Sequence, residues 1–172
     1  SGGTQTFNIT NRVLNMSASR DYNSLKTVSS AIITLSNLVG SETLALSGNG
    51  SVSNEDVGTN KTIGVDTLSL ADGSNGGIAS NYTLAGGTHL LTINKAVISI
   101  TGTRQYDGST NALPADLSLN NLQGGENLTL TGNGTISDKN VATGKTLDVS
   151  AGTLTLADNQ INGDKVEGGT ID

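Results

Sequence analysis

Short runs with an apolar side chain at every second position recur along this chain, at residues 13–19, 31–35, 80–84 and 89–93. Alternation of this kind is typical of strands that bury one face, and the runs are bounded by Gly, Asn, Asp and Ser. No apolar run approaches 18 residues, so the sequence predicts no membrane-spanning helix. The pattern indicates an all-β protein of short strands and many turns.

The pattern occurs twice. Residues 42–62, ETLALSGNGSVSNEDVGTNKT, return 84 positions later as residues 126–146, ENLTLTGNGTISDKNVATGKT. The offset becomes 86 between Leu68 and Leu154, which places a two-residue insertion in the loop near residues 150–152. Repetition at a fixed period is the mark of tandem folding units. We predict two β-sandwich-like modules, Ig-like or related, at residues 13–96 and 97–172.

The two ends of the chain depart from the repeat. Residues 2–11, GGTQTFNITN, match residues 86–95, GGTHLLTINK, so residues 1–12 are interpreted as the end of a preceding repeat. The second module ends in GDKVEGGTID where the first has the Asn81-Tyr82 pair, which indicates a truncated or degenerate C-terminal end. Residues 93–100 join the modules with no Gly-, Pro- or Ser-rich spacer, so we expect neighbouring modules to stack closely.

The SGNGS segment has two interpretations. Leu44, Leu46, Gly48, Gly50 and Val52 are two apart, which favours one continuous strand whose glycines mark a bulge or a close backbone approach. The rival is a hairpin that turns at Asn49-Gly50. At the level of the whole fold, the alternative is a right-handed parallel β-helix. That fold predicts coils of about 20 residues, and no such period appears within the 84.

Charge and cysteine content narrow the partners. A net charge of −6 disfavours nucleic acid and anionic membranes as partners, because both require a cationic surface. The absence of cysteine excludes disulfides and suits a chain that is exported unfolded. We expect a monomer whose first partners are the neighbouring repeats of its own chain.

Three segments carry a family resemblance: residues 93–110 (INKAVISITGTRQYDGST), 138–146 (DKNVATGKT) and 70–84 (LADGSNGGIASNYTL). They resemble the YDG-type repeat domain of large bacterial surface adhesins, including filamentous-haemagglutinin-like proteins secreted by the two-partner route. The resemblance covers nearly the whole chain and is clearest at Tyr106, Asp107 and Gly108. The first copy departs from it at Asn23 and Ser24. It implies a β-rich stalk module, extracellular or at the cell surface, that supports adhesion or biofilm formation.

The residues singled out as a structural signature recur in both copies or carry the family motif. Tyr22 and Tyr106 are 84 apart, so we expect both to pack with a polar tip rather than to form a ligand platform. Lys61 and Lys145 are expected at a strand start with the ammonium in water. A covalent crosslink from such a lysine to Asn or Asp stays open as the alternative. The full signature is Tyr22, Lys61, Tyr82, Tyr106, Asp107, Gly108 and Lys145.

Enzymatic chemistry finds no support in the sequence. His89 is the only histidine, its counterpart is Gln5, and no nucleophile or ligand spacing surrounds it, so we expect a surface histidine. No cofactor is predicted. Calcium stays a minor alternative at the acidic bends, which lack an Asp-x-Asp-x-Asp-Gly loop. The function predicted is a non-catalytic spacer repeat. The alternative is a polysaccharide-binding module, which requires an aromatic face among Phe7, Tyr22, Tyr82 and Tyr106.

Overall fold

The computed structural model describes residues 3–150, 152–158 and 170–171, and over these residues the chain is all-β. Eighteen strands of two to seven residues and three short 3-10 turns form several small sheets with no closed barrel. Most ladders are antiparallel, unlike the parallel β-helix weighed as the alternative. The all-β, sandwich-like fold class predicted from the alternating pattern is therefore confirmed.

The chain divides into two compact units. The first comprises Ser1–Arg20 and Leu25–Ile93, and the second comprises Asp21–Ser24 and Asn94–Asp172. Two strands of the first unit, β2 and β10, run one residue across these limits. The strands up to the boundary are β1 (Arg12–Val13), β2 (Asn15–Asp21), β3 (Thr27–Ser29), β4 (Ile33–Ser36), β5 (Leu44–Ser47), β6 (Asn49–Ser51), β7 (Gly58–Thr62), β8 (Ser69–Asp72), β9 (Tyr82–Thr83) and β10 (His89–Asn94).

A four-stranded sheet in the order β4-β2-β10-β7 organises the first unit. The ladders β3–β6 and β5–β8 are antiparallel, and β1–β9 is parallel. The 3-10 turns Ser30–Ile32 and Ala79–Asn81 lead into β4 and β9. Alternation places every second side chain of β2 and β10 in one core. The most deeply buried side chains are Leu14, Met16, Val28, Ile63, Leu91 and Ile93.

The second unit has three separate sheets over its described residues, in the orders β13-β11-β18, β12-β15-β16 and β14-β17. Its 3-10 turn, Pro114–Asp116, starts with the only proline, whose missing N–H is not needed there. Ile98, Ala112, Leu128, Leu130 and Leu154 are buried. The strands are β11 (Val97–Gly102), β12 (Asn111–Ala112), β13 (Leu117–Asn120), β14 (Leu128–Thr131), β15 (Gly134–Ile136), β16 (Leu147–Asp148), β17 (Thr155–Asp158) and β18 (Thr170–Ile171).

The ladder that follows the repeat motif has the same register in both units. Leu44 pairs with Asp72, and Leu128 pairs with Asp158. These pairs are related by the offsets of 84 and 86 that the sequence shows before and after the two-residue insertion. Equal register follows from the same alternation of Leu with Ser, Thr or Ala, because a slip of one residue would expose the leucines.

Both interpretations of the SGNGS segment are wrong. The chain neither continues as one strand nor turns back as a hairpin. β5 ends at Ser47, Gly48 bends the backbone at a φ of +85°, and β6 begins at Asn49 in a different sheet. A Cβ at Gly48 would lie 2.2 Å from the carbonyl oxygen of Thr67, and one at Gly132 would lie 2.0 Å from that of Thr153. Close backbone approach, which the sequence did indicate, is thus what requires glycine.

Gly48 and Gly76 offer a matched test of this close approach. Both have positive φ, but a Cβ at Gly76 meets nothing within 4 Å. Gly76→Ala should therefore lose only the backbone preference, about 1–2 kcal/mol. Gly48→Ala should lose about 1–3 kcal/mol more, because the added methyl overlaps the Thr67 carbonyl. Denaturant unfolding of both variants measures the difference, and equal losses would show that the contact with Thr67 is unimportant.

Candidate functional site

An arginine holds the turn after the first long strand in each unit. Arg20 donates from one terminal nitrogen to the Thr27 carbonyl at 2.6 Å and from the other to the Leu25 carbonyl. Arg104, 84 residues later, donates in the same way to the carbonyls of Asn111 and Ser109. The planar guanidinium is suited to two diverging acceptors, so each arginine closes its turn without any partner beyond the backbone.

The YDG turn itself, residues 106–108, is built by local hydrogen bonds. The Asp107 carboxylate accepts the Ser109 backbone N–H at 2.9 Å and pairs with Arg104 at 3.2 Å. Gly108 has a φ of +77°, a conformation that favours glycine. Asp107 and Gly108 therefore shape the turn, and the two residues need no ligand to explain them.

The two tyrosines expected to pack alike lie in different surroundings, and that expectation is wrong for Tyr106. Tyr22, in the second unit, is half-buried, donates its hydroxyl to the Glu126 carboxylate, and its backbone N–H bonds the Asn94 carbonyl at 2.9 Å. Tyr106 is 62% exposed. A shared sequence position does not give a shared environment here, because burial depends on what lies opposite the turn.

Tyr82 anchors the first unit in a way that the sequence motif did not specify. Its side chain is buried, its hydroxyl donates to the Glu42 carboxylate, and the same oxygen accepts the Val39 backbone N–H at 3.1 Å. The hydrogen bond to Glu42, together with burial, raises the pKa of Tyr82. Glu42 and Glu126 are repeat counterparts, so each unit uses this glutamate to accept a tyrosine hydroxyl.

A lysine clamps the polar bend of each unit. Lys61 donates to the Asn54 side-chain carbonyl, and Lys145 donates to the Asp138 carboxylate at 2.7 Å. These pairs are related by the offset of 84. The Lys145 side chain is only 15% exposed, so the expectation that the ammonium stays in water is wrong. The bond from Lys145, with a second from the Asn140 backbone, lowers the pKa of Asp138.

His89 is buried rather than at the surface, contrary to the sequence-based expectation. It is 7% exposed, and its Nε2 lies 2.7 Å from the Leu84 carbonyl oxygen. The alternation of β10 explains the burial, since His89 shares a face with Leu91 and Ile93. No group of three metal-ligating side chains occurs among the described residues.

The second unit contains an open groove with a volume of about 530 Å³. Its walls are residues 100–106 and 139–147, and Tyr106 stands at its rim. Apolar side chains form its floor: Ile100, Ala112, Leu117, Ile136 and Leu147. Over the part of the chain that the structure describes, no helix is long and apolar enough to cross a membrane.

The repeated side chains therefore define a class of protein, a tandem array of small β units in which polar side chains secure turns. The YDG domain matches residues 5–89 and, a second time, residues 91–163. The chain belongs to the YDG domain family. Comparison with curated proteins and with solved structures finds no match.

Sequence reasoning missed the two arginines and the two glutamates. Arg20 and Arg104 lie beside the YDG motif at the repeat offset, which was the available signal. Their carbonyl acceptors could not be identified, because any backbone can accept and only the folded turn decides which carbonyls converge. For Glu42 and Glu126 the repeat offset was again visible, but the tyrosines that donate to them come from different sequence positions.

The lysine clamps predict a specific pH dependence. Because the pKa of Asp138 is lowered in the fold, its pairing stabilises the protein above the unfolded value of about 3.9. This contribution is lost as the pH falls through the lower folded value. Asp138→Asn should therefore flatten that part of the acid unfolding profile, while Asn54→Asp should steepen it by creating the same ion pair with Lys61.

Denaturant unfolding at a series of pH values between neutrality and the acid limit measures both effects. The two substitutions exchange the residues that the units carry at equivalent positions, so each variant controls for the other. Identical acid profiles for the parent chain and both variants would show that the clamps contribute nothing to stability.

Proposed function

We propose that this chain is a non-catalytic spacer repeat of a large secreted bacterial adhesin of the filamentous-haemagglutinin-like, two-partner type. It acts outside the cell and holds adhesive regions away from the surface, in support of adhesion or biofilm formation. One observation carries the proposal. The side-chain interactions that recur at the repeat offset in both units, the arginine forks and the lysine clamps, all secure turns.

Polar side chains elsewhere are used in the same way. Asn15 accepts the Thr88 backbone N–H at 2.9 Å, Asp72 accepts that of Ala79 at 2.7 Å, and Thr43 accepts that of Ser74 at 2.8 Å. Side chains that satisfy backbone groups stabilise irregular segments, but they are not free to act on a substrate. A module whose polar groups are used in this way suits a mechanical role better than a catalytic one.

Composition supports export and repetition. The chain has no cysteine, so it can cross a membrane unfolded without forming premature crosslinks. Small repeats whose stability comes from each unit and its neighbours can be added in any number. This property is what a spacer requires, since its length is set by the count of copies rather than by a new fold.

Reach as a function of copy number tests the spacer role. Arrays of one, two and three copies of the chain are displayed on a bacterial surface with a fluorescent tip, and axial localisation gives the tip height. We expect the height to grow in proportion to copy number, because folded repeats add length linearly. Gly/Ser linkers with equal residue numbers are the control, since their span grows with about the square root of length. A square-root dependence for the arrays would contradict the proposal.

Polysaccharide binding is the second candidate, and the exposed Tyr106 favours it. The ring stands beside Arg104, Gln105, Lys139 and Asn140 at the rim of the groove. An aromatic face with amide and charged groups around it is a common arrangement for sugar recognition. By contrast, Tyr82 is buried and Tyr22 is half-buried, so neither offers a free face.

A glycan array probed with the full chain tests this candidate. If the Tyr106 rim binds sugars, Tyr106→Ala should abolish the signal while Tyr106→Phe retains most of it, because stacking needs the ring and not the hydroxyl. Asp107 remains in both variants, so the turn is preserved. Absence of any signal, or a signal that Tyr106→Ala leaves unchanged, would exclude the rim as a sugar site.

A further inference from the structure

Two fully solvent-exposed apolar side chains lie near the start of the described chain. Phe7 and Ile9 are each 88% exposed, and residues 3–11 form no strand. Their counterparts 84 positions later are Leu91 and Ile93, which are 0% and 1% exposed. The segment that contains Phe7 and Ile9 therefore has the sequence of a central core strand but none of its contacts.

The first unit shows what such a strand does when it is in place. β10 lies between β2 and β7 in the four-stranded sheet. Met16 donates its backbone N–H to Thr88 at 3.0 Å, and Ile63 donates to His89 at 3.0 Å. Leu91 faces Lys61 across the ladder with β7. The strand thus joins both sides of its sheet and supplies the two most buried side chains between them.

The groove of the second unit lies at the corresponding position. Residues 99–105 are the repeat counterparts of β2, and residues 142–146 are those of β7. The groove walls, residues 100–106 and 139–147, contain almost all of both segments. Over the described residues, the sheet β13-β11-β18 has no strand that corresponds to β10 between these walls.

We propose that this groove binds residues 4–10 of a second copy of the chain as an added strand. Phe7 and Ile9 then occupy the places that Leu91 and Ile93 occupy in the first unit. The fit accounts for a paired difference between the repeats. Phe7 is larger than Leu91, and Ala112 on the groove floor is smaller than its counterpart Val28.

The energetics favour insertion over exposure. Strand addition to an open sheet edge supplies backbone hydrogen bonds, while alternate side chains fill pockets and set the register. Both partners of this contact are exposed in the single chain, so insertion requires no unfolding of either unit. The strand and the groove are different surfaces, so the contact is heterologous, and successive copies extend it in an open series.

Sedimentation velocity of the full chain over a range of concentrations tests the proposal. We expect the weight-average mass to rise with concentration past that of a dimer, so that the expected monomer is the low-concentration form. Phe7→Asp with Ile9→Asp should keep the chain monomeric throughout. Thr6→Asp with Asn8→Asp places the same charges on the opposite face of the strand and should preserve the association.

Disulfide trapping supplies the register. Leu90 pairs with Thr62 in the first unit, so Thr6 should face Thr146 between copies. Antiparallel partners lie within the reach of a disulfide, and the chain has no other cysteine. A mixture of Thr6→Cys and Thr146→Cys chains should crosslink on oxidation, while Thr6→Cys with Ser118→Cys should not.

A chain that stays monomeric at every concentration would overturn the proposal, as would equal association of the two Asp variants or equal crosslinking of the two Cys pairs. The contact does not depend on the spacer role. A failed association would leave the height measurement of the arrays unaffected, and a failed height measurement would leave the association standing.

Discussion

The first unit depends on a single central strand. β10 bonds β2 on one side and β7 on the other, and its Leu91 and Ile93 are almost completely buried. Units of about 80 residues bury only about 60% of the surface that the unfolded chain exposes, so one central strand carries much of the available hydrophobic stabilisation. The arrangement also explains why His89 is buried, since it shares the face of Leu91 and Ile93.

Turns are secured by polar side chains in both units, which matters because little of either unit is regular strand. The arginine forks and lysine clamps satisfy backbone and side-chain oxygens, and glycines with positive φ let strands pass within contact distance. Leaving such groups without partners in small sheets is unfavourable. The YDG turn is one member of this set, with Asp107 and Gly108 acting on its conformation.

Prediction from sequence succeeded where a local pattern has one physical outcome. Alternation identified the strands and the all-β class, and the YDG motif identified the family. It failed where the outcome depends on a distant partner. Gly48 was recognised as a site of close approach, but the partner strands that separate β5 from β6 lie more than 15 residues away in sequence. Tyr106 shares the motif position of Tyr22 but lacks the opposing glutamate that gives Tyr22 its contact.

By itself, the sequence determined the period, the strand alternation, the glycine positions and the family, because each is written in the order of neighbouring residues. Only the tertiary structure decided which carbonyls the arginines bind, which bends the lysines clamp and which apolar residues are covered. Phe7 and Leu91 illustrate the difference, since equivalent positions are 88% and 0% exposed. Burial belongs to a pair of surfaces, and the sequence of one strand specifies only its own.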